Sequence, residues 1–110
     1  AKTVSYESTV ALFAAQAMAG RPLLTGPVNL QMRVDFAIPA SWSMKKQRAA
    51  EAGLILPTVK PDADNVAKIL CDAINGVVWK DDVQVVDLTV KKRYSVVPGV
   101  AVRIELVEVA

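Results

Sequence analysis

PDADNVAKILCDAINGVVWKDDVQVVDLTVKKRYS, residues 61–95, decides how the whole chain is read. Its first half repeats apolar residues at helical spacing, with Val66, Ile69, Leu70, Ala73 and Ile74 on one stripe. Asn75-Gly76 is a helix stop, and Asp62 or Asp64 stands where an N-cap is needed. From Val83 to Tyr94 the period changes to two. Val86, Leu88 and Val90 share one face, while Asp87, Thr89, Lys91 and Arg93 share the other. A helix therefore leads through an acidic turn into a strand with one face for a core and one for water.

The flanking sequence supplies the partners these elements need. Residues 28–38 alternate in the same way, with Val28, Leu30, Met32, Val34, Phe36 and Ile38 on one side, and Pro39 closes the strand. Pro98-Gly99 turns the chain into a last strand at about 100–109, where Val100, Val102, Ile104 and Leu106 alternate with Ala101, Arg103 and Glu105. Residues 4–19 read as a helix that ends at Gly20. Ser41 or Ser43 can cap another, running to about Gly53 and carrying Lys45, Lys46 and Arg48. The order α-β-α-α-β-β predicts an α+β fold: a small mixed or antiparallel sheet with helices packed on its apolar face.

Composition sets the outer bounds. The chain has 110 residues, 53% hydrophobic and 22% charged, which is enough to bury a core and reads as one domain over 1–110. The net charge of +2 permits a nucleic-acid partner without requiring one. A count of 0 histidines excludes histidine general bases and Ser-His-Asp triads. The single cysteine, Cys71, excludes an internal disulfide and fits a reducing compartment, and its place beside the apolar stripe suits a small core residue. No apolar run is long enough to span a bilayer, and no signal peptide is read at the start.

Chemistry is concentrated in three aspartates. Asp62 and Asp64 sit at the start of the third helix, and Asp82 lies several residues beyond its end. That helix is roughly 18 Å long at about 1.5 Å per residue. The extended stretch Val77–Asp81 spans at most about 17 Å, so the chain can return Asp82 to the helix start. Carboxylates gathered there would repel one another unless a hard divalent cation such as Mg²⁺ neutralised them. Lys68 falls one turn after Asp64 on the same face, where it could stabilise charge building on a phosphate. Lys91 and Arg93 on the polar strand face, with Lys45, Lys46 and Arg48 on the second helix, could hold a phosphate backbone. Each feature has a plainer reading. Asp62 and Asp64 could be a helix cap and a solvated neighbour, Asp82 a turn residue, and Lys68 an ion-pair partner of Asp64. The basic residues of the second helix could be a solvated face, and Trp79 suits core or dimer packing.

The run Asp62-Ala63-Asp64-Asn65-Val66-Ala67-Lys68, followed by Trp79-Lys80-Asp81-Asp82-Val83-Gln84-Val85-Val86, resembles the RusA family of Holliday junction resolvases, which are largely carried by bacterial prophages. Ser41-Trp42-Ser43 before a basic helix and Lys91-Lys92-Arg93-Tyr94 before Pro98-Gly99 also match, and the resemblance runs from about Ala11 to Val109. It implies a homodimeric, cytoplasmic, Mg²⁺-dependent endodeoxyribonuclease, with Mn²⁺ as a substitute. Such an enzyme cuts four-way junction DNA by paired nicks and leaves 5′-phosphates. By position it implies Asp62, Asp64 and Asp82 as metal-binding catalytic carboxylates, Lys68 as the catalytic lysine and Asp81 as a weaker candidate. Two departures stand out. The strand and basic segment expected ahead of the first helix are not seen, and Ala63 replaces a usual Leu. The alternative to an enzyme is a junction- or duplex-binding module of prophage origin that no longer cuts.

Overall fold

A computed structural model describes residues 6–108. In chain order it contains α1 (Tyr6–Met18), β1 (Val28–Ala37), α2 (Met44–Glu51), α3 (Ala63–Ile74), a short 3-10 turn (Asp82–Gln84), β2 (Val85–Ser95) and β3 (Gly99–Leu106). The sheet is mixed, with order β2-β1-β3. β1 runs parallel to β2 and antiparallel to β3. β1 is thus the central strand, and its alternation of Val28, Leu30 and Met32 inward with Gln31 and Arg33 outward sets the two sides of the sheet.

Helix α3 covers the apolar side. Val66, Ala67, Leu70, Cys71 and Ile74 are its buried residues, and they join Val28, Leu30, Met32, Met18, Val78 and Trp79 in one core. Burying a side chain such as Leu70 stabilises the fold by roughly 1.5–3 kcal/mol. Of the stripe expected from sequence, Val66, Leu70 and Ile74 are buried and Ile69 and Ala73 half-buried, the packed face being turned toward Ala67 and Cys71. Ser43 caps α2 by accepting from the Lys46 N–H at 3.2 Å. Asp62 occupies the N-cap position of α3 with extended backbone, but its side chain makes no capping bond.

The structure corrects two details. The segment from Asp82 to Gln84 is a 3-10 turn, so β2 begins at Val85 and not at Val83. Val86 and Leu88 were expected to face the core, yet they are 63% and 49% exposed. Their alternation is that of a half-buried strand. β2, however, is an edge strand, and the cover provided by α3 reaches it only in part, as the groove between them shows. Residues 4, 5 and 109 of the expected elements lie outside the described residues.

The other side of the sheet is polar and open. There Asp35 accepts from Arg93 Nε at 2.7 Å and from Arg33 Nε at 3.1 Å, its own side chain being 11% exposed. The Arg93 hydrogen bond holds the Asp35 carboxyl below the usual carboxylate range, against an opposing effect of burial, with Arg33 adding to the lowering. A lowered carboxylate pKa stabilises the fold above the unfolded-state value near 3.9, and the gain is lost as pH falls through the folded value. Asp35→Asn should therefore cost about 1 kcal/mol at pH 7. Urea unfolding of the two proteins should show the difference shrinking progressively as pH falls below the unfolded-state value near 3.9.

Candidate active site

Asp82 opens the 3-10 turn that joins the core to β2, and two features hold that turn in place. Trp79 is fully buried, and its indole Nε1 donates to Asn75 Oδ1 at 2.6 Å, tying the turn to the end of α3. Gln84 clamps the other side. Its Oε1 accepts from the Lys80 and Asp81 backbone N–H groups at 3.0 and 3.3 Å, while its Nε2 donates to the Leu24 and Gly26 carbonyls at 3.0 and 3.1 Å. Asp81 and Gln84 form a capping box around the turn. Gln84→Ala leaves those groups to water or to nothing and should lower stability by about 1–2 kcal/mol in urea unfolding. Gln84→Glu keeps the acceptor and should lose only part of that.

The acidic groups crowd on one another here. The Asp82 carboxyl is raised above the usual carboxylate range, first by its hydrogen bond with Asp81, then by burial and by the charges of Asp81 and Asp72, while a hydrogen bond with Asn75 partly offsets the rise. Burial, with the nearby charges of Asp82 and Asp72, pushes the Cys71 thiol up to about 11, so this cysteine stays a protonated core residue. Asp82 shares an open groove with Lys68, Ala67 and Cys71 of α3 and with Val86, Asp87 and Leu88 of β2. Lys68 and Asp82 therefore border one opening, as a phosphate-handling site needs.

The structure places Asp62 and Asp64 elsewhere. Both are exposed at the first turn of α3 and neither lines the groove. Asp82 instead lies close to Asp72 and Asn75, and Asn75 is roughly 16 Å along the helix axis from Asp64 at about 1.5 Å per residue. The expected return of residue 82 to the helix start is thus replaced by a position beside its later turns. Among the described residues, no three His, Cys, Asp or Glu side chains are grouped so as to hold a metal ion. Asp64, Lys68, Asp72 and Asn75 do recur at spacings of three and four, so they form one stripe of α3 that leads from the first turn to Asp82. Mg²⁺ needs only one or two carboxylates, since waters and phosphate oxygens complete its shell, and the Asp81–Asp82 pair offers hard oxygen donors in that number.

The basic residues divide between two surfaces. Lys45, Lys46 and Arg48 are exposed on α2, and Lys46 Nζ sits 4.0 Å from the Trp42 ring centroid. Lys91 and Arg93 stand on the open face of β2, where Arg93 is engaged by Asp35. Sequence reasoning missed Asn75, Asp72 and Gln84 as parts of the site. The Asp81-x-x-Gln84 spacing of a capping box was the signal for Gln84, and the i, i+4, i+8 series from Asp64 was the signal for Asp72.

Comparison with known proteins places the chain in a family. Residues 1–105 match the family model described as Endodeoxyribonuclease RusA. A Bacillus subtilis (strain 168) protein named Uncharacterized protein YqaN is 46% identical over 108 residues, an alignment covering 94% of this chain and 74% of that relative. No solved structure matches the chain.

Proposed function

The chain belongs to the RusA endodeoxyribonuclease family, and from that premise we propose that it is a divalent-metal-dependent enzyme resolving four-way DNA junctions by paired nicks. The observation that carries this reading is the groove bordered by Lys68 and Asp82, with Asp81 beside the latter. Asp82 and Asp81 would hold Mg²⁺, or Mn²⁺ in its place. The family motif assigns Asp62 and Asp64 as further ligands; they stand at the start of α3, outside the groove, so the groove reading rests on Asp81 and Asp82. The ion, when bound, supplies Lewis-acid stabilisation of the phosphoryl oxygens.

The remaining work falls to the chain's own groups. Lys68 places a positive charge where the attacked phosphate gathers negative charge. Gln84 and the Trp79–Asn75 bond keep Asp82 fixed, so little reorganisation is needed at the moment of reaction. Lys45, Lys46, Arg48, Lys91 and Arg93 hold the phosphate backbone of the arms. Hydrolysis leaves a 5′-phosphate and a 3′-hydroxyl. A four-way junction has near two-fold symmetry, and a homodimer with one groove per subunit supplies both cuts. The protein acts in the bacterial cytoplasm on recombining or prophage DNA. Among the described residues no helix is long and apolar enough to cross a membrane.

A second reading, binding without cutting, is favoured by one observation: the three motif carboxylates are not gathered into one cluster. A single assay separates the two. A labelled synthetic four-way junction and a linear duplex of the same sequence are incubated with the protein in 10 mM-range Mg²⁺, in Mn²⁺ and in EDTA. Symmetric, metal-dependent nicks in the junction alone are expected. A junction that is shifted in a gel and never nicked with either ion would reject the enzyme and leave the binding module.

A further inference from the structure

The three strands bring Lys91 together with two cations that no motif assigns, Arg33 and Arg103. On the open side of the sheet, Arg33 of β1 lies directly opposite Lys91 of β2, and Gln31, two residues back on β1, lies between Thr89 of β2 and Arg103 of β3. Arg33, Lys91 and Arg103 thus surround a shallow groove of about 370 Å³ over the middle of the sheet, and no carboxylate lines it. The nearest acids stand at its ends. Asp35 holds Arg33 and Arg93, and Glu105 holds Arg103, so among the described residues Lys91 is the groove cation without an acidic partner.

Arg33 and Lys91 are like charges directly opposite one another, an unfavourable pairing that Asp35 relieves only from the Arg33 side. Neighbouring strands are about 4.8 Å apart and residues on one face repeat about every 6.6 Å, so the three charges fit within roughly 12 Å. Such a set suits a polyanion with closely spaced charges lying flat on the sheet. Arginine forks engage phosphate oxygens in pairs, and lysine adds a point charge. Direction on the strand also matters. Asp87, on the same β2 face as Lys91, borders the Asp82 groove. Lys91 lies four residues further on, about 13 Å away at about 3.3 Å per residue.

We propose that the open face of the sheet, through Arg33, Lys91 and Arg103, is the phosphate-binding surface for a duplex DNA arm. The proposal rests on the nuclease reading above, and it adds Arg33 and Arg103 to the DNA contacts and gives the arm a direction.

The test is binding without turnover. Fluorescence anisotropy in EDTA follows a labelled duplex and a labelled junction at several salt concentrations, using the wild-type protein, the triple variant R33Q/K91Q/R103Q and the single variant Thr89→Lys. Each phosphate contact contributes about 0.9 to the slope of log affinity against log salt. The triple variant should flatten the slope by about 2–3 and weaken binding tenfold or more at 100 mM-range salt. Thr89→Lys, which adds a cation to the same row, should steepen the slope by about 1. Circular dichroism melting confirms that the variants fold, and the gain in Thr89→Lys tests the surface even if the triple variant does not. Unchanged slopes in both variants, while wild type binds and nicks, would overturn the sheet-face proposal and leave the nuclease intact. Altered slopes with no nicking by wild type would do the reverse. A change in sedimentation coefficient in place of a change in DNA affinity would show a contact between copies of the chain and overturn the proposal.

Discussion

Asp82→Asn is expected to abolish nicking of a four-way junction, by at least about 100-fold, while leaving the protein at least as stable as wild type. The two halves of this result come from one cause. Asp82 is held beside Asp81 and near Asp72, and its carboxyl is raised above the usual range by the Asp81 hydrogen bond, burial and those charges. A carboxylate whose folded pKa is raised destabilises the fold when ionised, so the penalty is present at neutral pH and absent below the unfolded value near 3.9. Asparagine has the same size, carries no charge and can still pair with Asp81. The melting temperature at pH 7 should therefore stay or rise, and the gain should disappear near pH 3. DNA binding in EDTA should hold or tighten, because a negative charge facing phosphate is gone. A carboxylate that were only a turn residue would give the same stability change with full nicking. Measuring both quantities on one preparation decides between the roles.

Trp79→Ala should have the largest effect on stability. Trp79 is fully buried, and it links the end of α3 to β1 and to the acidic turn. Truncating a buried tryptophan removes its packing, leaves a cavity and here strips Asn75 of its donor, for a loss of about 3–5 kcal/mol. Native domains have only about 5–15 kcal/mol in total, so the variant should be largely unfolded at 37 °C or melt far below wild type. Trp79→Phe keeps most of the volume and loses the indole donor. It should fold with a smaller loss, about 1–2 kcal/mol, and still reduce nicking, because Asn75 no longer fixes the turn that carries Asp82. Urea unfolding with a junction assay reads both. Full nicking by Trp79→Phe would separate the Asn75 bond from the site.

Much of the fold was legible because strand and helix periods are set by which residues must leave water. The apolar stripe of α3, the alternation of β1 and the order α-β-α-α-β-β follow from that demand alone, while the strand order β2-β1-β3 and the parallel pairing of β1 with β2 depend on long-range packing. Two things were not legible. Val86 and Leu88 have the pattern of a covered strand, but cover depends on where α3 ends relative to an edge strand, which no local period encodes. The position of Asp82 depends on hydrogen bonds between residues distant in sequence, chiefly those of Gln84 with the Leu24 and Gly26 carbonyls. Chain reach allowed residue 82 to lie at either end of the helix. The Trp79–Asn75 bond selects the later turns. Lys68 and Asp82 were picked out from the motif, and they do share one groove. Asp62 and Asp64 were picked out from the same motif and stand outside it.

The proposed enzyme requires a divalent ion at Asp82, in the groove between α3 and β2, within reach of DNA phosphate. Anomalous diffraction from crystals of the protein grown with junction DNA and Mn²⁺ measures this directly. A manganese peak bonded to the Asp82 carboxylate, facing Lys68, with a phosphate oxygen in its shell, is the expected result. A peak bound at another place, or a groove without manganese at saturating concentration while DNA is present, would contradict it.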